Sequence, residues 1–151
     1  MGKIPEDSAE RELLRALQSD SKRSLRELSK ELGLPISTVH EKIRRLERDG
    51  YIRGYRAVLD GKKLGFPVTG FILVSISAGA RSKISEKIAS IPDVQEVHLV
   101  SGDWDLLVKA KSESVEGFGR LAERLRGIPG VSKAVTSVVF ETVKEEALLD
   151  L

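Results

Sequence analysis

Two stretches of the chain carry nearly the same pattern of residues. Residues 91–97 (IPDVQEV) correspond to residues 128–134 (IPGVSKA), which begin 37 residues later. Each stretch ends an amphipathic helical pattern, turns through proline and enters a run of strand-forming residues. Two tandem units of this kind form a ferredoxin-like sandwich, in which four antiparallel strands carry two helices on one face. The repeat therefore predicts a ferredoxin-like βαββαβ domain over residues 67–151.

The first 50 residues follow a helical period instead. Apolar residues recur every three or four positions in three successive segments, each with its own start and stop signals. Ser8 is predicted to cap the first helix, and Ser24 opens a capping box for the second. Gly33 is the predicted stop of the second helix, and the third runs from Pro35 to Asp49–Gly50. The sequence thus predicts three short helices ahead of the α/β part.

A run of β-forming residues and a turn-rich polar stretch separate these two parts. We predict a helix-turn-helix domain over residues 1–50, a linking strand and hinge over 51–66, and the sandwich domain over 67–151. The predicted class is α+β, with an N-terminal winged helix-turn-helix of three helices followed by a C-terminal ferredoxin-like sandwich.

Positive charge is concentrated in the helical part. Residues 22–56 contain ten basic and five acidic side chains, a net charge of +5, whereas residues 61–151 contain twelve of each. The whole chain carries a net charge of only +2. This asymmetry indicates that one half faces a polyanion, although charge alone fits a solvated helix surface equally well.

The second and third helices, joined by residues 32–34, have the dimensions of a helix-turn-helix, whose second helix enters the DNA major groove. Val39, Ile43 and Leu46 form the predicted buried face of the third helix, so its polar residues point outward. These residues could reach base edges, and the start of the second helix could bind a phosphate. The alternative is a three-helix packing module that does not bind DNA. The predicted DNA-contacting residues are Lys22, Arg23, Ser24, Arg26, Ser37, Thr38, His40, Glu41, Arg44, Arg45 and Arg48.

Composition argues against most enzyme chemistry. The chain has no cysteine, which excludes disulfides, thiolate metal sites and thiol nucleophiles. His40 and His98 are the only histidines and lie in different predicted domains, so no metal site is expected. No nucleophile–base set or glycine-rich phosphate loop is present, and we predict neither a catalytic residue nor a cofactor. An enzyme using Asp103 and Asp105 as a carboxylate pair is one rival interpretation, and a sensor whose helical part binds protein is another.

Membrane insertion and export are not expected. No apolar run approaches the roughly 18 residues that span a bilayer, and the first 20 residues are too charged for a signal peptide. A cytoplasmic location is therefore predicted.

Several linked motifs run through nearly the whole chain. They comprise DxxxRxLL at 7–14, LSxxLGL at 28–34, VxxKIxxLExxGxIxGY at 39–55 and the turn Gly-Asp-Trp-Asp at 102–105. Together with Ile128–Val131 they resemble the leucine-responsive regulator (Lrp/AsnC, feast/famine) family of prokaryotic transcription regulators. The sequence departs from the family pattern at Pro35, where serine is common, and at Trp104, where tyrosine or phenylalanine is usual. Proline is tolerated in a first helical turn but supplies no capping hydroxyl.

The resemblance implies a DNA-binding transcription regulator rather than an enzyme. It implies that the second domain is regulatory, dimerises through its sheet and assembles into octamers or larger discs, with an amino acid bound between dimers near the Gly-Asp-aromatic-Asp turn. The expected partners are double-stranded DNA with a pseudo-palindromic site, an amino-acid-type effector and further copies of the chain. The candidate ligand-binding residues are Gly102, Asp103, Trp104, Asp105, Thr136 and Val138.

The chemistry of this turn suits an amino acid. Asp103 or Asp105 could accept hydrogen bonds from the ammonium group, and backbone amides beside Gly102 could bind the carboxylate. The alternative is an ordinary tight turn whose aspartates bond to their own backbone.

Overall fold

The structure, a computed structural model, describes residues 4–77 and 81–151. The described residues form two compact units, one comprising the chain up to Val58 together with Lys144–Leu151, the other comprising Leu59–Val143. The helices are α1 (Ser8–Ser19), α2 (Leu25–Leu32), α3 (Ile36–Arg48), α4 (Arg81–Ala89) and α5 (Val115–Arg126). The strands are β1 (Val68–Ile76), β2 (Val94–Leu99), β3 (Leu106–Ser112) and β4 (Val131–Val138).

The first unit is a bundle of α1, α2 and α3 around one apolar cluster. Leu13 of α1, Leu28 of α2, and Val39 and Leu46 of α3 are almost fully buried in it. Burying one leucine side chain stabilises the fold by about 1.5–3 kcal/mol, whereas one helix cap contributes about 1 kcal/mol. Apolar packing, rather than capping, therefore holds the three helices together.

Local signals explain where these helices begin and end. The Ser24 capping box is confirmed, because the Glu27 amide donates to Ser24 Oγ at 3.2 Å and the Ser24 amide donates to Glu27 Oε2 at 2.7 Å. Gly33 ends α2 with a left-handed φ of 64°, as its position predicted. The prediction that Ser8 caps α1 is wrong. Asp7 is the cap instead, since its carboxylate accepts from the Ala9 amide at 2.9 Å and a negative charge is favourable at a helix N-terminus.

The second unit is the antiparallel sheet predicted from the repeat, with strand order β2-β3-β1-β4. Burial alternates along β3, where every second residue from Leu106 to Ser112 is buried. Ile88 of α4 and Phe118 of α5 pack with Ile72 of β1 in the same core cluster. The helices thus cover one face of the sheet, and the βαββαβ order is confirmed.

Two strand predictions differ from the structure. Within the predicted linking strand and hinge, the β-forming residues 51–59 join no ladder in the described chain and, apart from Ile52, are exposed. Strand-forming residues continue after the second half of the repeat and predict a last strand over 131–143, but β4 ends at Val138. The final backbone bond runs from the Val139 amide to the Thr69 carbonyl, next to the first residue of β1. β4 therefore ends where its antiparallel partner, β1, begins.

Candidate nucleic-acid interface and effector site

Helix α3 has one buried and one exposed side. Val39 and Leu46 are fully buried, and Ile43 packs against the same cluster, so the predicted buried face is confirmed. Of the predicted DNA-contacting residues on this helix, Thr38 is half-buried. Those that are exposed are Ser37, His40, Glu41, Arg44, Arg45 and Arg48. The helix therefore presents hydroxyl, imidazole, carboxylate and guanidinium groups along one continuous side.

The start of α3 has no side-chain cap. Pro35 occupies the cap position with φ −56° and ψ 144°, and only its carbonyl is used, accepting from the Val39 amide at 3.0 Å. The loss of a capping hydroxyl expected from the sequence is confirmed.

The predicted phosphate-contacting group at the start of α2 divides into two pairs. Lys22 and Arg26 are exposed, and their side chains form no ion pair within the described residues. Arg23 instead pairs closely with Glu31, and the Ser24 hydroxyl is used in the capping box. The Ser24 amide, followed by the Ser24 hydroxyl, holds the pKa of the Glu27 carboxyl below its ordinary value. Two of the four candidates are thus already engaged within the chain.

A buried carboxylate beneath α3 was missed by sequence reasoning. Glu10 of α1 is only 2% exposed, and its Oε1 lies 2.6 Å from Nη2 of Arg45 and 3.9 Å from Nζ of Lys42. Oε1 has no aligned hydrogen bond, so the contact is an ion pair. Lys42 also pairs closely with Asp7 and, by hydrogen bonding, lowers the pKa of that carboxyl. The available signal was the spacing of Glu10 and Leu13, which places the acid on the apolar side of α1.

A second contact tethers the segment after α3. The Tyr55 hydroxyl donates to Oε1 of Glu47 at 3.0 Å. Burial and the adjacent Glu47 raise the pKa of Tyr55 to about 12. The first part of the predicted linking segment, up to Tyr55, is therefore held against the C-terminal half of α3 by a side-chain contact rather than by strand pairing.

In the second unit, the turn between β2 and β3 contains four of the candidate ligand-binding residues. Gly102 has a left-handed φ of 107°, Asp103 is exposed, and Trp104 and Asp105 are half-buried. Asp105 Oδ2 accepts from the Ile76 amide at 2.8 Å, and its Oδ1 pairs with Arg81. These contacts lower the pKa of Asp105, the Ile76 amide most of all. Asp105 therefore ties the turn to the end of β1.

Asp103 differs from Asp105 in its surroundings. Its carboxylate forms no hydrogen bond or ion pair within the described residues. Trp104 beside it lies under Nζ of Lys133, which is 5.0 Å from the ring centroid, a cation–π contact with β4. Lys133 also lines a shallow depression of about 270 Å³, together with Arg126, Val131, Ser132 and Ala134. Sequence reasoning did not find Lys133, because only the pairing of β4 with β1 brings it near the turn.

Thr136 and Val138 lie farther from the turn. The turn adjoins Val74, whose carbonyl accepts from the Asp105 amide at 3.0 Å. Thr136 is paired with Ile72 and Val138 with Gly70, two and four residues back along β1. At about 3.3 Å per residue, Val138 is roughly 13 Å from the position of Val74. Within one chain, the turn therefore lies near the start of β4 but not near Val138.

The part of the chain that the structure describes contains no group of three His, Cys, Asp or Glu side chains arranged to hold a metal ion. Among the described helices, none is long and apolar enough to span a membrane.

Two family models match the chain. Residues 69–149 match the Lrp/AsnC ligand-binding domain, and residues 6–53 match a winged helix-turn-helix DNA-binding domain. The second match covers the three helices of the bundle, and the first covers all four strands of the sheet and continues past Val143 to residue 149.

Complete proteins are also similar. The HTH-type transcriptional regulator FL11 of Pyrococcus horikoshii is 36% identical over 149 residues, which cover 99% of each chain. The leucine-responsive regulatory protein of Klebsiella pneumoniae is 36% identical over 143 residues, which cover 92% of this chain and 87% of that protein. A crystal structure of a transcriptional regulator from Neisseria meningitidis in complex with L-Met has a TM-score of 0.92 at 26% identity and covers 97% of both chains.

Proposed function

The chain belongs to the Lrp/AsnC family of transcription regulators, and on this premise we propose that it binds a pseudo-palindromic DNA site as a homodimer and that an amino acid modulates the binding. It is a transcription regulator with a helix-turn-helix DNA-binding domain and an Lrp/AsnC ligand-binding domain. The proposal includes a cytoplasmic location, no catalytic activity, residues 51–66 as the hinge, and assembly of dimers into octamers or larger discs.

The observation that carries the DNA-binding proposal is the two-sided character of α3. Its apolar side is buried. The opposite side exposes five polar side chains, those of Ser37, His40, Glu41, Arg44 and Arg48. Short polar residues near the helix start suit base edges, and arginines farther along suit guanine or phosphate. A two-fold dimer would present two such helices about 34 Å apart, one turn of DNA.

Phosphate contacts are assigned first to Lys22 and Arg26. Their charges are not neutralised by a neighbouring carboxylate within the described residues, so they can displace counterions from DNA. Arg23 and Ser24 contribute less in this scheme, since each would have to give up an existing partner.

The effector proposal centres on Asp103. Its exposed carboxylate can accept from an ammonium group, whereas both carboxylate oxygens of Asp105 already have partners. Backbone amides beside Gly102 are the proposed carboxylate site, and Trp104 forms the apolar wall. Thr136 and Val138 would join this site from a second copy, in keeping with a ligand held between dimers. The L-Met complex of the Neisseria meningitidis relative supports an amino acid as the ligand class.

The test is selection of DNA from a random pool, with and without a mixture of the twenty amino acids. We expect a palindromic consensus and a change in binding with one amino acid. No consensus at low and moderate salt would contradict the DNA-binding proposal and favour a protein-binding module, which also predicts no steep salt dependence. Equal assembly and binding with every amino acid would contradict the effector proposal alone.

A further inference from the structure

We propose that Arg45 and Glu10 form a positioning pair that sets the orientation of α3 in the helical bundle, and that Arg45 does not contact DNA. This inference rests on the proposed DNA-binding function of α3. It separates Arg45 from Arg44, the neighbouring arginine, which has no ion pair within the described residues.

The burial of Glu10 is the first argument. A carboxylate that is 2% exposed in an apolar bundle is tolerated only when an opposite charge compensates it. Arg45 Nη2, at 2.6 Å from Oε1, supplies that charge, and Lys42 lies farther away at 3.9 Å. If Arg45 turned toward DNA, it would leave Glu10 with only the more distant cation.

The second argument concerns the orientation of α3 relative to α1. Apolar contacts of Val39 and Leu46 hold α3 against the bundle, but such contacts are not directional and tolerate small rotations. A short ion pair holds two particular side chains together, so two such pairs at different points of a helix restrict its rotation and sliding more than apolar contacts do. Lys42 and Arg45 are three residues apart on α3, and they meet Asp7 and Glu10, which are three residues apart at the start of α1. These two adjacent pairs fix both the rotation and the sliding of α3 relative to α1.

The guanidinium of Arg45 is 52% exposed, so exposure alone does not distinguish positioning from DNA contact. Loss of a phosphate contact lowers the slope of log affinity against log salt by about one, and loss of a base contact relaxes the preference at that base pair. Loss of a positioning pair should do neither. It should instead weaken the preference at all positions of the half-site together.

The experiment compares Arg45→Gln, Glu10→Gln, the double variant and Arg44→Gln as the matched control, all in the full-length protein. Binding is measured against the selected consensus duplex and a scrambled duplex of equal length across a salt series, and the selection is repeated with each variant. We expect Arg45→Gln and Glu10→Gln each to lower the consensus-to-scrambled affinity ratio by about tenfold, and the double variant to match either single variant.

Arg44→Gln should instead lower the salt slope or relax one base position. The inference is overturned if Arg45→Gln behaves in the same way, or if the effects of Arg45→Gln and Glu10→Gln add. Thermal unfolding checks that each variant is folded. If Glu10→Gln does not fold, the slope and base preferences of Arg45→Gln against Arg44→Gln decide the matter alone. Absence of any consensus for the unaltered protein would contradict the proposed function rather than this inference.

Discussion

Asp103 and Asp105 show how two identical residues in one turn acquire different roles. Asp105 accepts from the Ile76 amide and pairs with Arg81, so it connects the turn to neighbouring parts of the sheet unit. Asp103 is exposed and has no such contact within the described residues. Asp105 is therefore suited to holding the turn in place, and Asp103 is available for a ligand.

We expect Asp105→Asn to lower the Tm at pH 7, whereas Asp103→Asn leaves it nearly unchanged. The pKa of Asp105 in the folded protein lies below its ordinary value of 3.8, chiefly because of the Ile76 amide. The stabilisation is therefore fully present above pH 3.8 and is lost as the pH falls through the folded-state pKa. Thermal unfolding measured from pH 7 downward should show the Tm difference between Asp105→Asn and the unaltered protein shrinking in acid. A constant difference would show that the charge is not responsible.

The same two variants separate the proposed effector role from stability. Asp103→Asn removes the negative charge offered to a ligand ammonium group, and charge-assisted hydrogen bonds are among the stronger polar contacts. We expect the affinity for the selected amino acid, measured by calorimetry, to fall by about tenfold or more, with the Tm of the free protein nearly unchanged. Unaltered affinity would exclude Asp103 from the site.

At the scale of single elements, strand β1 and helix α5 pack very closely where the ring of Phe118 lies against Gly70. A Cβ placed on Gly70 of β1 would lie 2.3 Å from Cζ of Phe118, a buried ring of α5. Only glycine leaves room for this ring against the strand. Gly119 of α5, next to that phenylalanine, has nothing within 4 Å of such a Cβ.

We expect Gly70→Ala to destabilise the protein by about 1–3 kcal/mol, because overpacking forces the ring or the strand to move. Gly119→Ala is the control and should stabilise by up to about 1 kcal/mol, since alanine favours a helix more than glycine does. Urea unfolding of both variants measures these changes. Equal changes in the free energy of unfolding for the two substitutions would show that the Phe118 ring can move aside without destabilising the protein.

The ends of α2, the end of β4 and the packing of α1 against α3 show what the sequence could and could not predict. The Ser24 capping box and the Gly33 stop were predictable because each depends on residues within a few positions. The end of β4 at Val138 was not, because it depends on where the distant strand β1 begins. Likewise, the ion pair of Glu10 and Arg45 depends on the packing of α1 against α3. Motifs located the turn at 102–105, but the difference between its aspartates follows from contacts with Ile76 and Arg81.

At the scale of the whole molecule, the chain passes between the two compact units twice, at Val58–Leu59 and at Val143–Lys144. The first passage lies inside the predicted hinge 51–66. The second lies within residues 67–151, which were predicted as one domain. The last eight residues lie in the same compact unit as the helical bundle, where Leu149 and Leu151 contact α1.

The contact of the last residues with α1 depends on Gln18. Its Nε2 donates to the Leu149 carbonyl at 2.7 Å, and its Oε1 accepts from the Leu149 amide at 3.1 Å. Arg15, one turn earlier, donates to the Leu151 carbonyl. The side-chain amide of Gln18 thus pairs with the backbone of the final segment as a neighbouring strand would.

We expect Gln18→Ala to accelerate hydrogen exchange at the Leu149 amide by about fivefold, because an exposed hydrogen bond contributes about 1 kcal/mol. Gln95→Ala, which changes the only other glutamine of the chain, is the control and should leave this exchange rate unchanged. Exchange at amides within α1 should also be unaltered, since Leu13 and Leu17 remain packed in the bundle. If the Leu149 amide of the unaltered protein already exchanges as fast as an unstructured peptide, then the final segment does not dock on α1 in solution.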